Sequence, residues 1–235
     1  MKLLITGDWH LDEKKPANRI DNYFSTQTEK MTWIFDLAKE ENVDAILQPG
    51  DFFNSFKVSH YLIRYWIQFF KRYNIHILTV PGQHDMRYHS SDISNTPMGI
   101  LEAAGVIRVL DNKPTLLKPG VSVYGAGWKQ ETPKGLQSDL NILVTHRLVA
   151  DEHFGGGTVV YDTPHHLLET TTYDLIVCGD NHKSFNYQAE PRTVVNCGSL
   201  MRSAIDQEFH FPVIYIYDTT KETVEMEEYL SLIHI

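Results

Sequence analysis

The chain has 235 residues, with 21 Lys plus Arg against 30 Asp plus Glu and a formal net charge of −9 with neutral His. Hydrophobic residues make up 42% and charged residues 22%. That composition suits one globular domain with a sizeable core and excludes a disordered tail, a coiled coil and a collagen-like fibre. An acidic surface repels phosphate backbones, so broad coating of nucleic acid is excluded too, whereas a local site can take phosphates if metal ions supply positive charge.

Residues 2–6 read as a buried strand. Thr26-Gln27-Thr28-Glu29 has the form of a capping box, followed by Met31, Ile34, Phe35 and Ala38 at helical spacing. Residues 43–47 are the next expected strand. Ser59 caps a second helix whose apolar face is Leu62, Trp66, Phe69 and Tyr73. Residues 75–80 form a third strand, stopped by Pro81-Gly82. Strand–helix–strand–helix–strand order implies a parallel sheet with right-handed crossovers. A short helix at about 97–104 precedes expected strands at 106–110, 121–125 and 141–145. Thr163-Pro164 opens a further helix with Pro in its first turn. The strand at 174–178 is followed by runs at 184–188, 193–196, 213–217 and 223–229 without long helices between them, which suggests antiparallel hairpins. The expected fold class is therefore α/β, a half-parallel, half-antiparallel pair of packed sheets with outer helices. Gly155-Gly156-Gly157 marks an expected mobile loop.

Twelve His is high for this length. The only two Cys, Cys178 and Cys197, give no disulfide framework and fit a reducing compartment. The N-terminal apolar run is too short for a signal peptide, and no stretch approaches the roughly 18 apolar residues of a membrane span. The expected location is cytoplasmic, with no membrane partner, and a single domain is expected over residues 1–235.

Metal-ligand types recur where strands end: Asp8-Trp9-His10, then Gly50-Asp51-Phe52-Phe53-Asn54, Gly82-Gln83-His84-Asp85, His146, and Gly179-Asp180-Asn181-His182. In an open α/β sheet, ligands bind beyond the carboxyl ends of the strands. The topology therefore pools Asp8, His10, Asp51, Gln83, His146, Asp180 and His182 at one rim. These are too many donors for one tetrahedral zinc, and they suit two neighbouring divalent ions bridged by a carboxylate. Mixed oxygen and imidazole donors without thiolate favour Mn²⁺, Fe²⁺, Zn²⁺ or a similar ion. Taken singly each motif is weak: Gly-Asp is often only a turn, and a lone His at a strand end is more often structural. The ordered conjunction of five carries the reading. The other histidines, including His89 and His210, are taken as surface or core, the two cysteines as small buried residues, and the Tyr65, Trp66, Phe69, Phe70, Tyr73 stripe as core.

This motif order resembles the calcineurin-like metallophosphoesterase superfamily. Asp8-Trp9-His10-Leu11 at the N-terminus and Asn196-Cys197-Gly198-Ser199-Leu200 resemble, more narrowly, the SbcD-type DNA repair nucleases and their phage relatives. The resemblance implies a four-layer α-β-β-α sandwich of two mixed sheets flanked by helices. One ion would be held by Asp8, His10, Asp51 and His182, the other by Asp51, Gln83, His146 and Asp180. His84 would face the scissile phosphate as a non-ligand acid, with Asn54 orienting it and Asp85 as a supporting partner. The family usually has Asn at the position of Gln83, His at that of Asp180, and Asp or His at that of Asn54. The Asp180 exchange makes the second site harder and more negative, favouring Mn²⁺ or Mg²⁺ over Zn²⁺, or else leaves that site weak or empty. Arg19, Arg147 and Arg202 are candidate phosphate contacts, with ordinary surface ion pairs as the competing reading.

The implied function is metal-dependent phosphodiester hydrolysis, as a DNA exonuclease or endonuclease of SbcD type. SbcD-type nucleases carry a DNA-capping domain after the core, and the last strand-like run here ends near Tyr229, so no capping domain is expected. The missing cap motivates one alternative, a phosphodiesterase for nucleotides or other small diesters; Gln83 and Asp180 motivate another, a non-enzymatic binding module with a decayed second metal site. A protein Ser/Thr phosphatase is disfavoured, because that branch has Arg-Gly after the second motif and Asn54 is followed by Ser55-Phe56. Family analogy adds a homodimer and an SbcC-like ATPase partner, the latter weakened by the missing cap and partner-binding segment.

Overall fold

A computed structural model describes residues 1–134, 138–150, 160–203, 207 and 210–228. Four short strands, β1 (Lys2–Ile5), β2 (Ala45–Gln48), β3 (His76–Thr79) and β4 (Arg108–Val109), lie parallel in that order. On the other side of β1, β11 (Val213–Asp218) and β12 (Thr223–Glu228) add antiparallel strands, giving the order β12-β11-β1-β2-β3-β4. The second sheet is built from β5 (Thr115–Lys118), β6 (Val121–Ala126), β7 (Leu140–Thr145), β8 (Leu175–Cys178), β9 (Phe185–Ala189) and β10 (Arg192–Asn196). Its order is β5-β6-β7-β8-β10-β9, parallel from β6 to β10 with antiparallel strands at both edges.

Period-two alternation assigns each strand to two cores. Leu3, Ile5, Leu47, Leu78, Val123, Ile142, Val144, Leu175, Val177 and Val195 fill the space between the sheets. Leu4, Ile46 and Ile77 face the other way, onto α1 (Tyr23–Glu40), α2 (His60–Tyr73) and α3 (Pro97–Ala103). Tyr124, Leu143, Ile176 and Val194 pack on Leu167 and Leu168 of α4 (Pro164–Thr170). Strands buried on both faces read as unbroken apolar runs, which is why they stand out in the sequence. The result is the expected helix–sheet–sheet–helix sandwich of two mixed sheets. Ser59 caps α2 by accepting from Leu62 N at 3.1 Å, and Pro97 and Pro164 open α3 and α4.

Three details differ from the sequence reading. Helix α1 starts earlier, at the N-cap Asn22, whose side chain accepts from Ser25 N at 3.2 Å. The Thr26–Glu29 box therefore lies inside the helix. Parallel and antiparallel pairing is not divided between the two halves of the chain: β10 pairs parallel with β8, and the C-terminal hairpin returns to β1. The run at 106–110 contributes only a two-residue strand, and β5 was not expected at all. Both lie at sheet edges: β5 has too many exposed or half-buried residues for a clean apolar run, whereas the apolar Val106, Ile107 and Leu110 are buried in the cores but only Arg108 and Val109 pair with β3. The Gly155-Gly156-Gly157 loop and Tyr229 lie outside the described residues. Among the described residues, no helix is long and apolar enough to cross a membrane.

Candidate metal centre

The loops after β1, β2, β3, β7 and β8 meet at one end of the sandwich. Their backbone is bent hard there. His10, Asp51 and Asp180 have left-handed φ angles of 45°, 48° and 71°, a conformation that costs a non-glycine residue on the order of 1–3 kcal/mol and that clusters at functional sites. Glycine is required beside them. Gly50 has φ 106°, and a Cβ on it would lie 2.5 Å from His146 Nδ1; a Cβ on Gly82 would lie 2.2 Å from Asp51 Oδ1. Without side chains at these two positions, the loops approach closely enough to bring carboxylates and imidazoles together.

Asp51 is fully buried at the centre of the cluster. Its Oδ2 lies 3.7 Å from His10 Nε2, 3.9 Å from His84 Nε2 and 3.5 Å from His146 Nε2. Its Oδ1 accepts from His84 N at 2.9 Å. On one side of Asp51, the Nε2 atoms of His10 and His182 are 3.1 Å apart, and His182 Nε2 is 3.8 Å from Asp8 Oδ2. On the other side, His146 Nε2 sits 2.8 Å from Gln83 Oε1, and Gln83 Nε2 donates to Asp180 Oδ1 at 2.8 Å. His146 Nδ1 is 2.7 Å from the Pro49 carbonyl, which takes its proton and leaves Nε2 facing the cluster. Asp8, His10 and His182, then His10, Asp51 and His84, then Asp8, Asp51 and His146 form three overlapping groups able to hold a metal ion.

Burial and close packing shift the titrations of the clustered groups in opposite directions. Burial, with Asp51 nearby, pushes the Asp8 carboxyl well above its usual range, although the His146 charge opposes this. Burial also works to raise Asp51, but His146 overrides it and holds that carboxyl below its usual range. His146 itself is driven up to about 10 by Asp51 and Asp8 against its own desolvation. Burial pushes His10 down to about 3 and lowers His182, so both imidazoles are neutral and able to ligate.

The residues present fit a divalent cation. Asp8 Oδ1 and Asp51 Oδ2 are buried atoms with no hydrogen-bond partner. Such groups are costly unless something binds them. The 3.1 Å between the His10 and His182 imidazoles and the 3.7 and 3.5 Å from Asp51 Oδ2 to His10 and His146 bracket the roughly 3.4 Å ligand–ligand edge of a tetrahedron with metal bonds near 2.1 Å.

The remaining expected site residues fall in different places. His84 lies beside the cluster with its side chain 42% exposed. Its Nδ1 is 2.8 Å from the backbone carbonyl of Asn54, while the Asn54 amide turns away and donates to Asp12 Oδ2 at 2.9 Å. The expectation that the Asn54 side chain orients His84 is therefore corrected: the main-chain oxygen does this. Asp85 is buried and accepts from Phe52 N, Phe53 N and Gly82 N at 3.0–3.1 Å, stapling the β3 loop to the β2 loop. Burial and Asp51 raise its carboxyl to about 7 against those three donors. Arg19 is not placed to meet a substrate phosphate. It is 2% exposed, and its guanidinium binds Asp21 through Nε and Nη2 at 2.8 and 2.5 Å and the Arg202 carbonyl at 2.9 Å. Arg147 pairs with Asp162 at 3.2 Å while lining a cavity of about 500 Å³ that also reaches His146 and Asp180. Arg202 is half-buried on the loop that follows Leu200.

Four supporting groups escaped the sequence reading. Gln27 of α1 donates to the His10 carbonyl at 3.0 Å and accepts from Asp12 N at 3.2 Å. Lys30 is buried and donates to the Leu200 carbonyl at 2.8 Å, while Leu200 N donates to Asp8 O at 2.8 Å. Gln207 Nε2 lies 2.7 Å from His182 Nδ1, and the Pro49 carbonyl orients His146. The only signal for Gln27 and Lys30 was their place on the apolar face of α1, where polar residues are out of pattern.

Residues 1–184 match the family model for calcineurin-like phosphoesterase. The chain belongs to this family. All five loops that carry the clustered residues lie inside the region matched to the calcineurin-like phosphoesterase family. Among curated proteins, the chain is 26% identical to the double-strand break repair protein MRE11 of Encephalitozoon cuniculi over 92% of this chain and 45% of that protein. It is 28% identical to the DNA double-strand break repair protein Mre11 of Saccharolobus solfataricus over 53% of this chain and 32% of that protein. The chain thus spans less than half the length of these relatives. Among solved structures, an archaeal phosphodiesterase superposes with a TM-score of 0.56 at 16% identity, covering 97% of this chain and 100% of that one. A structure named as a putative 5'-nucleotidase from Staphylococcus aureus superposes with a TM-score of 0.54 at 12% identity, covering 97% of this chain and 52% of that one. At these identities the two structures share the fold alone.

Proposed function

We propose that this chain hydrolyses DNA phosphodiester bonds with two divalent cations, Mn²⁺ being the favoured ion. The observation that carries the reading is Asp51 Oδ2: buried, without a hydrogen-bond partner, and ringed by His10, His84 and His146 at 3.5–3.9 Å. Asp8, His10, Asp51 and His182 would hold one ion, and Asp51, Gln83, His146 and Asp180 the other. Bound there, the ions would supply positive charge for the phosphoryl oxygens and a water activated for in-line attack. An all-oxygen-and-imidazole donor set with three carboxylates favours the harder cation. The names of the two repair-protein relatives support DNA as the substrate.

The chain's own side chains perform the remaining work. Asp51 joins the two halves of the cluster through one carboxylate. Asp85 holds the loops carrying Asp51 and His84 in register through three main-chain N–H groups. His84 has Nδ1 fixed by the Asn54 carbonyl, so Nε2 faces the phosphate side of the cluster, where it can carry a proton. That proton can pass to the leaving oxygen.

Labelled single- and double-stranded DNA incubated with the protein and Mn²⁺ tests the reading, with EDTA as the control. Cleavage that requires the metal supports it. Turnover of a dinucleotide with neither DNA substrate cut would shift the assignment to a small-diester phosphodiesterase. Absence of metal by elemental analysis after Mn²⁺ loading would end it altogether.

A further inference from the structure

Beside the metal centre, three loops raise a rim of aromatic and cationic side chains that hydrolysis itself does not use. The β2 loop continues past Asn54 to Phe56 and Lys57. The β3 loop continues past Asp85 to Arg87, Tyr88 and His89. The loop after β6 brings Trp128 and Lys129, tied to the β3 loop by Trp128 N donating to the Pro81 carbonyl at 2.9 Å. The Phe56 and Tyr88 rings are 5.8 Å apart, and His89 lies 4.9 Å from Trp128 at 35°. Each aromatic has a cation near its face: Lys57 Nζ is 5.3 Å from Phe56, Arg87 5.4 Å from Tyr88, and Lys129 Nζ 4.0 Å from Trp128.

Two features set this rim apart from ordinary surface. Tyr88 is 75% exposed although its backbone is held at φ 53°, ψ 35°, with His89 next to it at φ 60°. Left-handed backbone is uncommon in a bulky residue, and two in succession hold the Tyr88 ring outward rather than letting it fold onto the core. The segment is anchored by buried Met86 and by Ser90 N donating to the Arg87 carbonyl at 3.1 Å. The second feature is electrostatic. Among the described residues, none of Lys57, Arg87 and Lys129 is paired with a carboxylate, in a chain whose net charge is −9. The exposed Tyr88 ring, flanked by the half-buried rings of Phe56 and Trp128 and interleaved with cations free of carboxylate partners at the mouth of a phosphate-handling site, matches what an unpaired strand requires: bases stack on rings while phosphates meet the cations. A duplex keeps its base faces covered by neighbouring bases and cannot use the rings in this way.

We propose that Phe56, Tyr88 and Trp128, together with Lys57, Arg87 and Lys129, form a stacking rim that binds an unpaired DNA strand and presents its phosphodiester to Asp51 and His84. The assignment of substrate rests on the DNA-hydrolase reading above. Fluorescence anisotropy in EDTA tests the rim on the whole chain, with a labelled 12-nucleotide oligothymidylate, a 12-unit abasic chain with the same phosphates, and a 12-base-pair duplex. The oligothymidylate is expected to bind about tenfold more tightly than the abasic chain. The Phe56→Ala, Tyr88→Ala double variant is expected to weaken oligothymidylate binding on the order of tenfold or more and to leave the abasic chain unaffected. Tyr88→Phe, which keeps the ring, is expected to retain the wild-type affinity. An unchanged melting temperature in the double variant shows that the fold is intact. Equal affinity of the wild type for oligothymidylate and abasic chain, or unchanged oligothymidylate binding in the double variant, would overturn the rim. Hydrolysis of bis-p-nitrophenyl phosphate by the wild type with Mn²⁺ is measured alongside. Its absence would count against the hydrolase reading and not against the rim, so the two failures are distinguishable.

Discussion

The two flanks of Asp51 are built on opposite principles. On the side of Asp8, His10 and His182, the polar atoms converge without satisfying one another: Asp8 Oδ1 has no partner, and two imidazole nitrogens face each other at 3.1 Å. On the side of Gln83, His146 and Asp180, one amide joins the group, accepting near His146 Nε2 and donating to Asp180 Oδ1. A cation on the first flank would give its unpartnered buried atoms a partner. The second already holds a hydrogen-bonded network that a cation must displace. In the proposed two-ion reading, the first ion would meet unpartnered donors and the second a network already bonded through Gln83 and Asp180, two of the three positions, with Asn54, where this sequence differs from the residues the family usually has.

The largest effect should come from the residue common to both flanks. Asp51→Ala removes the carboxylate shared by the two halves, and activity is expected to fall to background with both ions lost. Residual Mn²⁺ binding at full stoichiometry, measured by calorimetry, would show that Asp51 is not the shared ligand. Next in size is His84→Ala. It lies outside the assigned ligand sets, so metal uptake is expected to stay at the wild-type level while the rate drops by about 10²–10⁴, the usual contribution of a positioned proton donor. Unchanged turnover would refute the role.

The comparison of flanks is sharpened by Gln83→Asn. An Asn side chain is shorter by one methylene and cannot span from His146 to Asp180, so the network that competes with the second ion is broken. The affinity of the weaker Mn²⁺ site is expected to rise by about tenfold, in line with the effect of groups that orient metal ligands. A titration with no change in the weaker site would mean that the hydrogen-bonded flank is not what limits it.

A smaller effect belongs to the support beneath the first flank. His210 is buried, with Nε2 2.9 Å from the Ser199 carbonyl, and burial lowers it to about 4. The unfolded chain takes up this proton below about pH 6.5, whereas the folded chain does so only near 4. The unfolded state therefore binds more protons in that window, and stability falls as pH drops through it. His210→Gln keeps a donor for Ser199 and removes the titration, so acid unfolding between about pH 6.5 and 4 should flatten by on the order of 2 kcal/mol. Parallel melting curves for the two proteins across that range would contradict the assignment.

What the sequence revealed, and what it hid, follows from whether a residue's partner is set by its own strand. Asp8, His10, Asp51, His146 and His182 each follow a strand buried over nearly its whole length, so parallel topology alone brings them to one end, and the unbroken apolar runs that mark those strands are visible residue by residue. The pairing of β11 with β1 joins residues some 200 positions apart in the chain, and local pattern carries no trace of it. Thr26 and Gln27 illustrate the same loss at the level of one turn. Their composition fits a helix cap, but Asn22 has already taken that place. Thr26 Oγ1 donates to Asp21 at 2.6 Å, and Gln27 reaches the His10 carbonyl. A polar residue on a buried helix face was the available clue, and its partner lay in a loop whose position no spacing rule supplies.

Asn54 is the sharpest case of this kind and leads to the smallest expected effect. Read as a side chain, it stands where the family has Asp or His, and it should matter for the charge on His84. In the structure the ring is held by the main-chain oxygen of residue 54, and any residue supplies that oxygen. The Asn54 amide instead bonds Asp12 at 2.9 Å on the exposed side of the loop. Asn54→Ala removes one exposed hydrogen bond, worth about 1 kcal/mol or less, and leaves the His84 contact in place. Its rate is expected to stay within about threefold of wild type with the same pH profile. Asn54→Pro is the harsher companion, because Asn54 N donates to the Leu11 carbonyl at 3.2 Å and proline has no N–H to give. If the alanine variant lost as much rate as His84→Ala, the side chain would be acting on the imidazole through a contact that forms only with substrate bound, and the family's preference for Asp or His at this position would apply here after all.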